Sequence, residues 1–287
     1  MPNNIAFFTM KKFCLFLFTL LFSTLVFAQK REKIKGSKNV TVTTREIQPF
    51  ENIEIENNIE VYLTKGTTQS LEVEADDNLN DIIKSDINGT TLKLYTNKDV
   101  SSSKKLTLRL TYTGTLKAIS AKNDVQLYAV NELELDTISV KNFDSSKSFL
   151  NVKSAHFTLT MNDKAKAELN IKSAKTTIEL SKNANLKALI ASPEVKLDLY
   201  QKSVAVIEGD AVAGAFRIDN TAEFNGKKFA VKNLDLTAEG YTKCTVMCTE
   251  TLSLSASGKT EVSLYGAPTT FTIKKLANSA TIFKKED

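Results

Sequence analysis

From about residue 116 to the C-terminus, apolar positions return roughly every 19 residues. Stepping from Ala121 meets Ala121, Val140, Leu159, Ile178, Leu197, Phe216, Leu236, Leu254 and Ile273, and every stop is apolar. Half a repeat away, a second column runs through Leu127, Leu150, Leu169, Ala188 and Ile207, breaks, and resumes at Val246, Leu264 and Phe283. Around each stop the alternation has a period of two. Phe157, Leu159 and Met161 alternate with Thr158 and Thr160, Ile178 and Leu180 with Thr177 and Glu179, and Val195, Leu197 and Leu199 with Lys196, Asp198 and Tyr200. A period of two is that of a strand with one buried face and one wet face. Two apolar columns per repeat mean two strands per coil. A fixed period near 20 residues marks a solenoid, whose coils bury their apolar edges only by stacking on one another. β-branched residues dominate and no segment keeps a helical period for more than about two turns, so a helical repeat is excluded.

Turn chemistry keeps the same beat, at Asn123-Asp124, Asn142, Asn162-Asp163, Lys182-Asn183, Gln201-Lys202, Asn220, Glu239-Gly240, Ser257-Gly258 and Asn278. Asn, Asp and Gly tolerate the left-handed backbone that a coil corner requires. One coil breaks the pattern: Asn225-Gly226 falls where the second column needs an apolar residue, which predicts a bulge or small insertion. The fold class that follows is all-β: a right-handed parallel β-helix of about nine coils over 116–287, the hand being that of nearly all parallel crossovers. Its ends expose strand edges that template aggregation unless covered. Lys284, Lys285, Glu286 and Asp287 are expected to blunt one edge, and the segment before residue 116 to cap the other.

That segment, 29–115, is strand-rich without the 19-residue beat, and forms one continuous body with the coils. Ile53 and Ile55, then Ile59, Val61 and Leu63, alternate toward a turn at Lys65-Gly66 and a return strand through Leu71 and Val73, the pattern of an antiparallel hairpin or meander. Asp76-Asp77-Asn78 can cap a short helix through Leu79, Ile82 and Ile83. Asn88-Gly89 opens a turn into Leu92, Leu94 and Tyr95.

Ahead of it, residues 1–28 read as an export signal: Lys11 and Lys12, an apolar run from Phe13 to Phe27, and the small Ala28 before the cut. Residues 1–9 read as an upstream start before Met10. The apolar run is shorter than the ~20 residues of a spanning helix, so no membrane span is expected after cleavage. Cys14 leaves with the signal. Cys244 and Cys248 share a strand face about 13 Å apart, too far for a disulfide within the strand and consistent with small buried hydrophobes.

The formal net charge is +5, and losing Lys11 and Lys12 leaves three positive charges, too few to imply nucleic acid. Acid is concentrated near the N-terminus, with ten Asp and Glu from Glu51 to Asp86 against Lys65 and Lys84. Within it, Glu72, Glu74, Asp76, Asp77 and Asp81 are the best candidates for Ca²⁺, although their spacing matches no Ca²⁺ loop. An enzyme on such a fold needs carboxylates aligned on adjacent coils. Glu179 and Asp198 meet that test, but Thr160 and Arg217 flank them, which fits a solvated charge ladder better. His156 is the only histidine, so a histidine triad or multi-histidine zinc site is excluded, and no phosphate loop, nucleophile elbow or dinucleotide fingerprint occurs. Seven tyrosines could stack on sugars where they share a face, and Tyr200 and Tyr241 lie about two coils apart. No residue set therefore earns a catalytic, cofactor or metal assignment.

Arg45-Glu46-Ile47, Phe50, Ile53-Glu54-Ile55, Ile59-Glu60-Val61-Tyr62-Leu63 with Gly66, Leu71-Glu72-Val73-Glu74-Ala75-Asp76 and Asn88-Gly89-Thr90-Thr91-Leu92-Lys93-Leu94, leading into the coils from Leu116, resemble the head GIN domain family of exported bacterial proteins labelled autotransporter adhesins. The resemblance spans nearly the whole chain after the signal. It implies a β-helical fold and an envelope or surface location, periplasmic or extracellular, and carries no catalytic site. The expected function is a non-enzymatic, adhesin-like binding module whose polar solenoid faces hold a surface glycan or an envelope protein. A polysaccharide lyase or hydrolase, or a structural or sensing envelope component, are the alternatives.

Overall fold

The computed structural model describes residues 31–286, so the export signal read at 1–28 lies outside the described residues. Residues 33–286 belong to one compact unit. Its N-terminal part holds β1 (Lys33–Lys35), β2 (Val40–Arg45), β3 (Asn52–Glu56), β4 (Glu60–Lys65), β5 (Ser70–Asp76), β6 (Ile83–Asn88), β7 (Thr91–Thr96), β8 (Asp99–Ser102) and β9 (Leu106–Tyr112). The coils follow as β10 (Ala118–Lys122), β11 (Gln126–Ala129), β12 (Leu133–Glu134), β13 (Thr137–Asn142), β14 (Lys147–Met161), β15 (Lys166–Leu180), β16 (Asn185–Leu199), β17 (Val204–Ile218), β18 (Glu223–Ala238) and β19 (Lys243–Ala256). β20 (Glu261–Tyr265), β21 (Thr270–Leu276) and β22 (Thr281–Lys284) complete the chain.

The coils form a β-solenoid of about nine turns with parallel strands. The first apolar column is one ladder of partners: Val140, Leu159, Ile178, Leu197, Phe216, Leu236, Leu254 and Ile273 pair in succession. Leu150, Leu169, Ala188 and Ile207 do the same in the second. Three expected members fall out of register: Ala121 pairs with Asn142 and Leu127 with Ser148, because that coil is two residues longer than the repeat, and Phe283 pairs with Ser263 on the outer face, while Ile282 takes the inward place opposite Val262. Each of the long strands bends once, where the alternation changes phase. Serines at the 19-residue step hold the bend: Ser173 Oγ donates to the Lys175 carbonyl (2.8 Å) and Ser192 Oγ to that of Glu194 (3.0 Å).

The opposite corner is a tight turn stacked in register with its neighbours. Asp163, Lys182, Gln201, Asn220, Gly240, Gly258 and Asn278 all have positive φ, between 56° and 87°. Their N–H and C=O groups continue the ladder, as in Asn183 N–H to Asp163 O (2.8 Å) and Lys202 N–H to Lys182 O (2.9 Å). At Gly240 and Gly258 a Cβ would lie 2.6 and 2.3 Å from the carbonyl oxygens of Asn220 and Gly240, so these corners need glycine on two counts.

The bulge expected at Asn225-Gly226 is present, with register shifts between Val206 and Glu208 and between Gly226 and Ala230. Its core is aromatic. Phe216 meets Phe224 edge-on at 5.4 Å and stacks on Phe229 at 6.2 Å. A Cβ on Gly226 would lie 2.6 Å from the Phe224 ring.

The parallel ladder also runs into the N-terminal part. β10 stacks on β3 and β11 on β4, and below them β3 pairs with β7 and β4 with β9. Antiparallel strands then close this end: β5 pairs with β9 and β2, and β6 forms a hairpin with β7 through Gly89 at φ +60°. The hairpin expected between the Ile59–Leu63 and Leu71–Val73 strands does not form, because β9 and β11 already occupy both edges of β4. The expected helix is a single 3₁₀ turn, Asp77–Leu79, and Ile83 opens β6. Leu79, Ile82 and Ile83 are buried and plug the end of the core.

The C-terminal end differs from expectation. The charged residues lie on or after β22 and leave β21 uncovered: its inward-facing Phe271, Ile273 and Leu276 are 42, 47 and 50 % exposed.

Candidate functional site

In a parallel, in-register solenoid, outward side chains at one strand position stack into rows about 4.8 Å apart. One row, on the face formed by β9, β4, β11 and β14, runs Arg109, Tyr62, Tyr128, Phe149. Tyr62 and Tyr128 stack at 4.9 Å between ring centroids, Tyr128 and Phe149 at 5.0 Å, and the Arg109 guanidinium lies 5.3 Å from the Tyr62 centroid. The rings cover each other's faces and turn edges and hydroxyls toward solvent. Tyr62 donates to Glu60 Oε1 (2.7 Å) and Tyr128 to Gln126 Oε1 (3.2 Å), while the Thr107 hydroxyl holds Glu60 Oε2 (3.2 Å). The bond to Glu60, aided by burial, pushes the Tyr62 phenol up to about 12, so it remains a neutral donor.

Two depressions border this row. A polar cleft of about 250 Å³ is lined by Asn58, Glu60, Ser101, Ser102, Lys104, Lys105 and Gln126, sharing the two residues that hold the tyrosine hydroxyls. Farther along, the row continues through Glu168 and Lys187 to Val206. There a shallow groove of about 290 Å³ is floored by Leu169, Ala188, Leu189 and Val206, with Leu189 50 % exposed. Hydrogen-bonding groups, ring edges and an apolar groove thus share one outer face. This face was not singled out in the sequence. Its members are separated by the N-terminal insertion between Tyr62 and Tyr128, and by a coil two residues longer than the repeat between Tyr128 and Phe149.

The opposite outer face carries the aligned carboxylates. Glu179 and Asp198 are direct register partners, with Thr160 before and Arg217 after. Asp198 binds Lys196 (3.0 Å), and Arg217 reaches Asp219 (3.4 Å) and Glu239 (3.7 Å). Charge on this face is paired within the face, as in a solvated ladder.

The acidic stretch is split among separate partners. Glu72 and Glu74 face Arg109 at 3.5 and 3.6 Å, and Asp81 is exposed. Asp76 is fully buried and accepts the backbone N–H groups of Lys38 (2.9 Å), Lys104 (3.0 Å) and Lys105 (2.9 Å). Burial pushes its carboxyl up, but these donors and the Lys38 charge outweigh it and hold the group below the usual carboxylate range. Asp77 takes the Ser37 hydroxyl and the Asn39 amide (2.9 Å). These oxygens tie down the N-terminal strand, and among the described residues no cluster of three or more Asp, Glu, His or Cys is placed to hold a metal ion.

His156 is exposed. Tyr200 and Tyr241 do not meet; each lies by a cation, Arg217 at 5.9 Å and Lys259 at 5.5 Å. Cys244 and Cys248 are free and buried on one face with Val246 between them, and burial pushes the Cys244 thiol up to about 12, which leaves it an unreactive core group. Among the described residues no helix is long and apolar enough to cross a membrane.

The fold matches solved structures at low identity. The chain is similar to a putative adhesin from Parabacteroides merdae (16 % identity, TM-score 0.64, covering 89 % of this chain and 99 % of that one). It is similar also to a putative adhesin from Parabacteroides distasonis (17 %, TM-score 0.67, 88 % and 100 %). A third, from the same species, is a putative lipid binding protein (15 %, TM-score 0.54, 88 % and 100 %). No curated protein matches the chain in sequence. The model of the family described as "Putative auto-transporter adhesin, head GIN domain" matches residues 49–268, and the chain belongs to that family.

Proposed function

We propose that this protein is an exported, non-enzymatic binding module of the bacterial envelope that holds a surface glycan on the outer face of β4, β11 and β14. The adhesin family and the adhesin-titled neighbours support a binding role. The observation that carries the choice of face is the joining of the polar cleft to the Tyr62–Tyr128–Phe149 row. Sugars present arrays of hydroxyls, and a cleft lined by Asn, Gln, Glu and Lys groups can donate to them and accept from them.

The test is a broad glycan array probed with the purified protein, with and without Ca²⁺, alongside an assay for released sugar ends. Retention of particular glycans without release is the expected result. Release of ends would overturn the non-enzymatic reading, and absence of any glycan binding would overturn the glycan.

A further inference from the structure

The two ends of the solenoid are finished differently. At the N-terminal end Leu79, Ile82 and Ile83 fill the core between the two sheets, which β5 and β2 on one side and β6 on the other extend antiparallel, and Arg45 ties β2 to the carbonyls of Ile83 and Asn80, both at 2.7 Å. At the C-terminal end nothing comparable is present among the described residues. β21 pairs only with β19 and β22 only with β20, so each has one open edge. Phe271, Ile273 and Leu276, stacked on Leu252, Leu254 and Ala256, are bare on the far side.

We propose that this open end is the interface for a second copy of the same chain, joined end to end about a twofold axis. A partner must present two strand edges one sheet-spacing apart, ~10 Å, with apolar side chains between them. The N-terminal end also leaves edges on β2 and β6, but Leu79, Ile82 and Ile83 already fill the space between them, so among the described residues the same end of another copy is the match. A twofold axis normal to both sheets pairs β21 with β21 and β22 with β22, each antiparallel, and the operation is self-complementary. With β21 centred on Thr272, Phe271 faces Ile273 of the second copy and both keep their inward side. Thr270 then stands opposite Lys274, so along β21 no lysine meets a lysine.

Lysines on an edge strand ordinarily discourage such pairing. Here they are turned back onto their own chain. Lys274 binds Asp235 (3.0 Å), Lys275 lies 3.8 Å from Glu239, Lys284 donates to the Gly266 carbonyl, and Lys285 sits over the Phe283 ring. The three bare side chains offer roughly 300 Å² per copy, well under the ~800 Å² per partner of a standard interface, so the contact is a weak, transient one to which the paired strand edges contribute the rest.

Sedimentation velocity of the purified protein between about 1 and 100 μM tests this. A monomer–dimer equilibrium in that range is expected, with Ile273→Lys weakening it at least tenfold. Because Ile273 also packs on Leu254, a second variant is needed. Thr272→Cys points outward and should give a covalent dimer on oxidation, whereas Thr177→Cys on a middle coil should not. A protein that stays monomeric at 100 μM, or a dimer indifferent to Ile273→Lys and not cross-linked through Thr272→Cys, would overturn the proposal.

Discussion

Single side chains decide how this solenoid starts and turns. Asp76 is the clearest case, since three backbone N–H groups converge on a fully buried carboxylate. Gly36 allows that approach: a Cβ there would lie 2.1 Å from Asp76 Oδ2. Asp76→Asn removes the charge and reverses one donor–acceptor pair, and should cost about 2–3 kcal/mol in a denaturant titration. The pH dependence has a definite sign. A carboxyl held below its unfolded value stabilises fully above that value, near pH 4, and the contribution is lost as pH falls through the lower folded value. Wild type should therefore lose stability below pH 4 more steeply than Asp76→Asn. Acid limbs of equal slope would refute that assignment. The sequence marked Asp76 as special for another reason, as a helix cap or Ca²⁺ ligand, because its true partners lie about 30 to 40 residues away in the chain. Gly258 is the corner counterpart: at φ +83° and with a Cβ 2.3 Å from the Gly240 oxygen, Gly258→Ala should lower stability by about 2 kcal/mol.

Among the elements, the bent strands were the most legible and the N-terminal strands the least. Leu159, Ile178 and Leu197 form one column in the sequence and one ladder in the fold because in-register stacking converts a sequence period directly into contact. The same reasoning could not reach β3 and β4, whose ladder partners β10 and β11 come only after the excursion through β5 to β9. The hairpin rule favoured joining β4 to β5, yet β4 had no free edge. Register also explains why the tyrosine row follows no fixed sequence period and why it can be tested. Tyr128 sits between Tyr62 and Phe149, so Tyr128→Ala breaks both stacks, each worth about 0.5–1.5 kcal/mol. A thermal midpoint lowered by only a few degrees, with an unchanged circular dichroism spectrum, is expected; collapse of the fold would show that the row is part of the core.

For the whole molecule, solenoid logic makes stability a sum over neighbouring coils. Deleting residues 166–184 joins Ala165 to Asn185, which pairs with Lys166 in the ladder, and so removes one coil in register. The shortened protein should fold cooperatively with reduced stability, whereas deleting 166–175 should leave it unfolded or aggregated, because a partial coil turns inward residues out. Joining two copies at their open ends would set two binding faces in continuous sheets, and a repetitive ligand would then be held by many weak contacts at once.

The central claim is that recognition belongs to one outer face. It is tested most directly by titrating a glycan retained on the array against wild type, Tyr128→Ala and the opposite-face variant Glu179→Gln. Loss of affinity of about tenfold or more in Tyr128→Ala, with Glu179→Gln unchanged, is the predicted result. Equal binding by wild type and Tyr128→Ala, or loss confined to Glu179→Gln, would contradict it.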